Sequence, residues 1–273
     1  MTDRTPRVVV KGAGDLATGV ALSFHAAGFG VLMTEIPQPT AIRLTVSFAA
    51  AVHDGRHSVE GVHAQLGTME SWQSILAAGT IAVLVDPRAE VIQSAGAAVI
   101  VDAIMAKTNT GTLKKDGAAV IALGPGFTAG GDVDAVIETM RGHELGRIIR
   151  DGCASADTGT PGDIGGRTSE RVLRAPRNGR VTSMKRIGEM VAAGEVVMRV
   201  EDQPVVAAIG GCLRGCISDR VLVRAGMKIG DVDPRGDTRF VHVVSDKARA
   251  VGRAALEAAL EIGRERGILR VLT

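Results

Sequence analysis

Apolar runs closed by turn residues punctuate the first 150 positions of the chain. VVV (8–10), GVLMTE (30–35), IAVLVDP (81–87), AAVIVDA (97–103) and AAVIALGPG (118–126) are the clearest. Continuous runs of this kind predict strands buried on both faces, as in a parallel sheet. Between the first two, the stretch from about Asp15 to Ala27 predicts a helix that Gly28 ends. DVDAVIETMRGH (132–143) predicts another, with Asp132 as its cap. The alternation predicts an α/β fold, with a Rossmann-like doubly wound parallel sheet over residues 1–150.

The pattern changes at 151. Residues 151–170, DGCASADTGTPGDIGGRTSE, read as an irregular Gly/Pro-rich connector. From 171 to 238, turns follow every few residues. Gly179-x-Val181 is echoed by Gly215-x-Ile217, and the Gly188–Glu195 segment by a shortened Gly226–Asp231. Two similar halves predict a small all-β barrel-sandwich domain resembling those of biotinyl and lipoyl carriers. The hairpin tip between them, EDQPVVAAIGG (201–211), has no lysine to carry a prosthetic group, so a scaffold is expected. RFVHVV (239–244) predicts a strand and 245–267 a long amphipathic helix capped by Ser245. Residues 239–273 are expected to return to the first domain.

Composition narrows the class. A chain of 273 residues with 45% hydrophobic content can bury a sizeable core. No apolar run reaches membrane-span length, and a strand starting near position 7 leaves no room for a signal peptide. A cytoplasmic protein away from membranes is expected. The 32 basic residues nearly balance the 30 acidic ones, aromatics are 2%, and tyrosine is absent, so no nucleic-acid partner is expected. Cys153, Cys212 and Cys216 are too few for a disulfide framework. Neither they nor the histidines show metal-site spacing, so no metal is expected.

The candidate chemistry begins in VVVKGAGDLATGVAL (8–22). Gly12, Ala13, Gly14, Asp15, Leu16, Ala17 and Thr18 follow a strand and open a helix, with Gly12, Gly14 and Ala17 in the G-x-G-x-x-A spacing. Gly12 permits the turn, Gly14 lets a pyrophosphate approach the backbone, and the helix N-terminus offers free N–H groups. Glu35 ends the second strand, where a carboxylate accepts ribose hydroxyls. The opposing sign is Asp15, a negative charge beside the proposed phosphates, and an unoccupied turn is the competing reading. A second loop, Gly124, Pro125, Gly126, Phe127 and Thr128, continuing to Gly130, is expected to expose N–H groups as an anion nest facing the same crevice.

Weaker candidates each carry a bland alternative. Cys212 and Cys216 read as a persulfide site or as core fillers, and Cys153 as the better exposed thiol. His53, Asp54, His57, Glu60 and His63 read as a metal or proton-transfer cluster or as a polar loop. Asp157, Thr158, Thr160 and Asp163 of the connector read as crevice lining. Arg167, Arg171, Arg174, Arg177, Arg180, Lys185 and Arg186 read as a phosphate grip or as a solvated hinge.

GAGDLATGVA, MTEIPQPTAIRLTVSFAAAV, LVDP, DAIMAKTNTGT, ALGPGFTAGGDVDAVIETMRGHELGRII and TGTPGDIGG…ERVLRAP resemble the YqeB family over nearly the whole chain. Its members are accessory proteins of the selenium-dependent molybdenum hydroxylase system. The first domain is also similar to that of XdhC-type xanthine dehydrogenase accessory proteins, which bind molybdenum cofactor and help load it. The resemblance implies a pterin ligand bearing a phosphate, in some cases as a dinucleotide, and a molybdenum hydroxylase client. A homo-oligomer is left open. Two other readings stand beside this one: an NAD(P)-dependent oxidoreductase using the same crevice, and a non-catalytic assembly or regulatory scaffold.

Overall fold

The computed structural model describes residues 5–268. Strands β1 (Arg7–Lys11) and β2 (Gly30–Glu35) flank helix α1 (Asp15–Ala26). A short helix α2 (Ala50–Asp54) leads into the hairpin β3 (Arg56–Val59) and β4 (Val62–Gly67). Glu60 and Gly61 both take positive φ, 50° and 81°, as a two-residue hairpin turn requires. Then come α3 (Trp72–Ala77), β5 (Ile81–Val85), α4 (Ile92–Ala95), β6 (Val99–Asp102), β7 (Ala119–Leu123), β8 (Thr128–Ala129), β9 (Ala135–Ile137), β10 (Ile148–Ile149) and β11 (Gly152–Cys153). Nine of these strands form one sheet in the order β10-β9-β7-β6-β1-β2-β5-β4-β3.

The five apolar runs are strands of this sheet, and their side chains alternate between its two faces. Val8 and Val10 pack on the side of α1, while Val9 packs on the side of Trp72. The expected Rossmann-like doubly wound parallel sheet is nevertheless corrected. The sheet is mixed: β3 runs antiparallel to β4, and β10 to β9. Among the described residues, no α-helix covers the β6–β7 or β7–β9 connection. The stretch expected as a helix at 132–143 instead contributes β9, paired parallel to β7 with Ile121 opposite Ala135. Burial of Ala135, Val136 and Ile137 against the sheet outweighs local helix propensity. Asp132 caps no helix; its carboxylate accepts the Thr128 N–H at 2.9 Å.

Beyond the connector, strands β12 (Val172–Arg174), β13 (Gly179–Ser183), β14 (Met190–Val191), β15 (Val196–Val200), β16 (Gln203–Val206), β17 (Gly211–Cys216), β18 (Leu222–Val223) and β19 (Lys228–Asp233) follow. They make two four-stranded antiparallel sheets, β12-β19-β17-β14 and β16-β15-β13-β18. Leu173, Val181, Met198, Leu213 and Ile229 belong to the core these sheets share. The barrel-sandwich assignment of the biotinyl/lipoyl type is corrected to this pair of antiparallel sheets. The glycine echo that suggested it has two unrelated causes. Gly179, at φ +153°, lies beneath the Glu201 side chain, whereas a Cβ on Gly215 would press on Ile42 of the first part at 3.1 Å.

The segment expected as a strand at 239–244 opens as a 3-10 turn, Thr238–Val241, because the Asp237 side chain caps it by accepting the Arg239 N–H. Helix α5 (Asp246–Glu265) then packs along α1. Its N-cap is Ser245, whose hydroxyl accepts the Ala248 N–H at 3.0 Å. Arg141 grips Asp246 beside that cap and holds its carboxyl down at about 2. A depressed carboxyl stabilises the fold above its unfolded value of 3.8 and loses that contribution as pH falls toward 2. Asp246 is largely exposed, so Asp246→Asn is expected to cost less than about 1 kcal/mol in neutral-pH melts, and nothing below the transition.

Candidate functional site

The carboxyl ends of β1, β2, β5 and β6 meet at a cavity of about 500 Å³, lined among others by Gly12, Gly14, Asp15, Glu35, Asp86 and Met105. Gly12, at φ +94°, donates its N–H to the Thr34 carbonyl at 2.8 Å, and a Cβ there would lie 3.1 Å from the Ala103 carbonyl. The turn is therefore clamped between β2 and the end of β6. Gly14 is the N-cap of α1 and offers no side chain to its amides. A Cβ on Gly14 would meet nothing within 4 Å among the described residues, so the position opens on the hollow. Leu16 and Ala17 also line it, while Ala13 is buried behind it. Thr18 faces inward: its hydroxyl accepts the Phe48 N–H at 2.9 Å.

Glu35 holds this loop in place. Its two oxygens accept the Ala13 N–H at 3.0 Å and the Ile36 N–H at 2.8 Å. Burial pushes its carboxyl above the ordinary 4.5, against the opposing pull of those two amides. Folding therefore takes up a proton, and stability held by the neutral form is lost as pH rises through the raised value. Glu35→Gln is expected to flatten the slope of melting temperature against pH just above 4.5. An unchanged slope in the variant would show that another group sets it. Asp15 lies 3.5 Å from the buried Arg43, which offsets the negative charge that counted against a phosphate here.

Sequence reasoning passed over a buried group beside this cavity. Lys11, at the end of β1, pairs with Asp102, at the end of β6, at 3.3 Å, and both bond the buried Thr112 hydroxyl. Asn109 ties the same loop, accepting the Gly111 and Thr112 N–H groups at 2.9 and 2.8 Å. Within this strap Met105 and Lys107 hold positive φ of 61° and 65°, a conformation uncommon for residues with a Cβ. The available signal was the placement of a lysine and an aspartate directly after the apolar runs VVV and VIV of two strands.

The second loop is placed differently from the first. A Cβ on Gly124 would crowd the Thr139 hydroxyl at 2.7 Å, and one on Gly126 the Lys107 backbone at 2.6 Å. Phe127 is in the core and the Thr128 N–H is bonded to Asp132. Of these five residues Pro125 lines a cleft of about 770 Å³ between the two parts of the molecule. The connector residues Asp157, Thr158, Thr160 and Asp163 line the same cleft. A further hollow of about 420 Å³ lies between the cavity and β19, and Asp15 borders all three.

The remaining candidates disperse. Cys212 and Cys216 are buried, and burial pushes both thiols up, away from thiolate character. Cys153 is exposed and sits 3.5 Å from the Thr128 hydroxyl. His57 reaches the Thr45 carbonyl at 3.3 Å, whereas Glu60 binds the Val244 N–H and Arg249. Burial lowers His53. Of the basic stretch, Arg171 lines the cleft and is paired with Asp231; Arg177 pairs with Asp202 and Lys185 with Glu195 on the surface.

No family model matches the chain. It is similar to the uncharacterized protein YqeB of Escherichia coli (strain K12), 48% identical over 254 residues, which is 93% of this chain and 47% of that protein. The chain thus spans about half the length of the curated relative it matches. This likeness supports the YqeB family name and carries no XdhC-type likeness with it.

Solved structures with some similarity are a succinylglutamate desuccinylase/aspartoacylase from Rhodobacter sphaeroides and an aspartoacylase family protein from Mesorhizobium loti. The first has TM-score 0.23 and 20% identity over 31% of this chain and 29% of that one. The second has TM-score 0.29 and 9% identity over 84% and 85%. At these scores neither says anything of fold or activity. Among the described residues, no helix is long and apolar enough to cross a membrane.

Proposed function

We propose that this protein binds a phosphorylated cofactor at its glycine loop and passes it to a molybdenum hydroxylase client. The cofactor class is a pterin of the molybdenum-cofactor type, in mononucleotide-like or dinucleotide form. The observation that carries the reading is Gly14: a helix N-terminus without a side-chain cap opens on a cavity of about 500 Å³, a size suited to a small ligand.

The residues present fit such cargo. The Leu16 N–H is already met by the Asp15 carboxylate at 3.0 Å, so a phosphate oxygen would draw on the remaining first-turn amides of α1 and their partial positive charge. Arg43 balances Asp15 at the rim. Glu35 keeps lone pairs free on both oxygens after bonding the loop, so it can accept from a ribose hydroxyl or a pterin N–H. NAD(P) shares the phosphate and the ribose and is the alternative ligand, with oxidoreductase activity as the alternative function. The chain's lack of tyrosine removes one common proton donor from that alternative.

Calorimetric titration with NAD, ADP and molybdopterin dinucleotide tests the reading. Gly14→Val sets its Cβ where no described protein atom lies within 4 Å, so its fold should be retained while affinity falls at least about tenfold, or 1.4 kcal/mol. Equal affinity in the variant would make the loop a turn and nothing more. Steady NADH oxidation with small carbonyl substrates, without any effect on hydroxylase maturation, would favour the oxidoreductase.

A further inference from the structure

The cleft between the two parts holds more positive charge than its own carboxylates satisfy. Three cations on its walls are already matched: Arg171 by Asp231, Lys107 by Asp157 at 2.6 Å, and Arg141 by Asp246. Arg43 is shared between Asp15 and the carbonyls of Phe240 and Val243. Arg214, Lys228 and Lys247 line the same cleft and remain.

Arg214 is the most telling. It is only 6% exposed, and its Nε is buried without a hydrogen-bond partner among the described residues. Its nearest carboxylate, Asp233, is 3.8 Å away and is already held by a two-point bond from Arg235, with contacts of 2.9 and 2.6 Å. Burial and the neighbouring Arg43 push the Arg214 guanidinium down to about 10. Burial lowers both Lys228 and Lys247, Arg171 and Arg141 add to it, and the opposing pull of Asp231 on the first and of Asp15 on the second does not restore them. A buried guanidinium whose nearest carboxylate is already engaged by another arginine is costly and rarely kept without a use.

We propose that Arg214, Lys228 and Lys247 form an anion site in this cleft that takes the phosphate or pyrophosphate group of a small molecule. A guanidinium presents paired donors that match a phosphate edge, and two ammonium groups add charge without fixed geometry. Arg214 lies too deep for a broad protein surface to reach, and the connector residues Ser155 to Ile164 form one wall of the hollow. The site stands independently of the glycine-loop cavity, although Asp15 borders both.

The test is calorimetric titration and thermal melting of the full chain with inorganic phosphate and pyrophosphate, against chloride at equal ionic strength. Wild type should bind pyrophosphate saturably and melt higher with it. Arg214→Met should raise the melting temperature of the ligand-free protein, because a poorly compensated buried charge is removed while Asp233 keeps Arg235, and should abolish the pyrophosphate-dependent rise. Lys247→Gln should leave the ligand-free melt unchanged and weaken pyrophosphate roughly tenfold. It carries the test should Arg214→Met not fold.

Gly14→Val should bind pyrophosphate as wild type does. Loss of binding in Gly14→Val alone would move the anion to the glycine loop and overturn the proposal. So would an absence of saturable binding in the wild type, or affinities unchanged in both cleft variants. Binding of an acidic peptide in place of pyrophosphate, lost in the same variants, would overturn the small-molecule assignment.

Discussion

Gly252→Leu is expected to strip α5 from α1 and to cost about 3 kcal/mol or more in denaturant melts. The two helices cross with their backbones in contact. A Cβ on Gly252 would overlap the Gly19 carbonyl, and a Cβ on Gly19 would overlap the Ala248 carbonyl. Both clashes are with backbone, which cannot turn aside as a flexible side chain can. Since α1 opens at Gly14, the same change should also weaken ligand binding at the glycine loop. A variant that melts with the wild type would mean that the helices do not pair in this way.

Lys11→Met is expected to cost about 3–5 kcal/mol, because it leaves Asp102 buried without its counter-charge. Asp102 sits at the centre of the sheet, and its other oxygen accepts the Ile104 N–H at 3.1 Å, so it cannot swing out to water. The double variant Lys11→Met/Asp102→Asn should recover a large part of the loss, since the uncompensated charge is then gone. Additive losses in the two single variants would contradict an ion pair that acts as one unit.

How much of this was legible in the sequence depended on the range of the interaction. Strands such as Val8–Val10 and Val99–Val101 announce themselves through unbroken apolar runs, because burial on both faces leaves no polar position. The segment at 132–143 does not, since β9 exists only by pairing with β7 and has no periodicity of its own. The wholly parallel sheet was expected from strand–helix alternation, and the antiparallel edges come from a hairpin at Glu60–Gly61 and a late return at β10.

At the site, Gly12, Gly14 and Glu35 could be read together because a known spacing links them. The glycines at 124 and 126 look alike in sequence, yet the structure uses them for close packing on Thr139 and Lys107. Arg214 and Lys228 gave no signal of an anion site. Their significance is how little carboxylate charge reaches them, and that is set by chain segments far away, such as Arg43, whose positive charge adds to that of Arg214. The same holds for Gly19 and Gly252, whose contact joins opposite ends of the chain.

The most direct test of the central claim is mass spectrometry of the small molecules released when the protein is purified from its own host and denatured. The expected result is a phosphorylated heterocycle, pterin or nucleotide, near one equivalent per chain from the wild type and strongly depleted from Gly14→Val. Release of no phosphorylated molecule from the wild type, together with flat titrations against the same ligand classes, would contradict it.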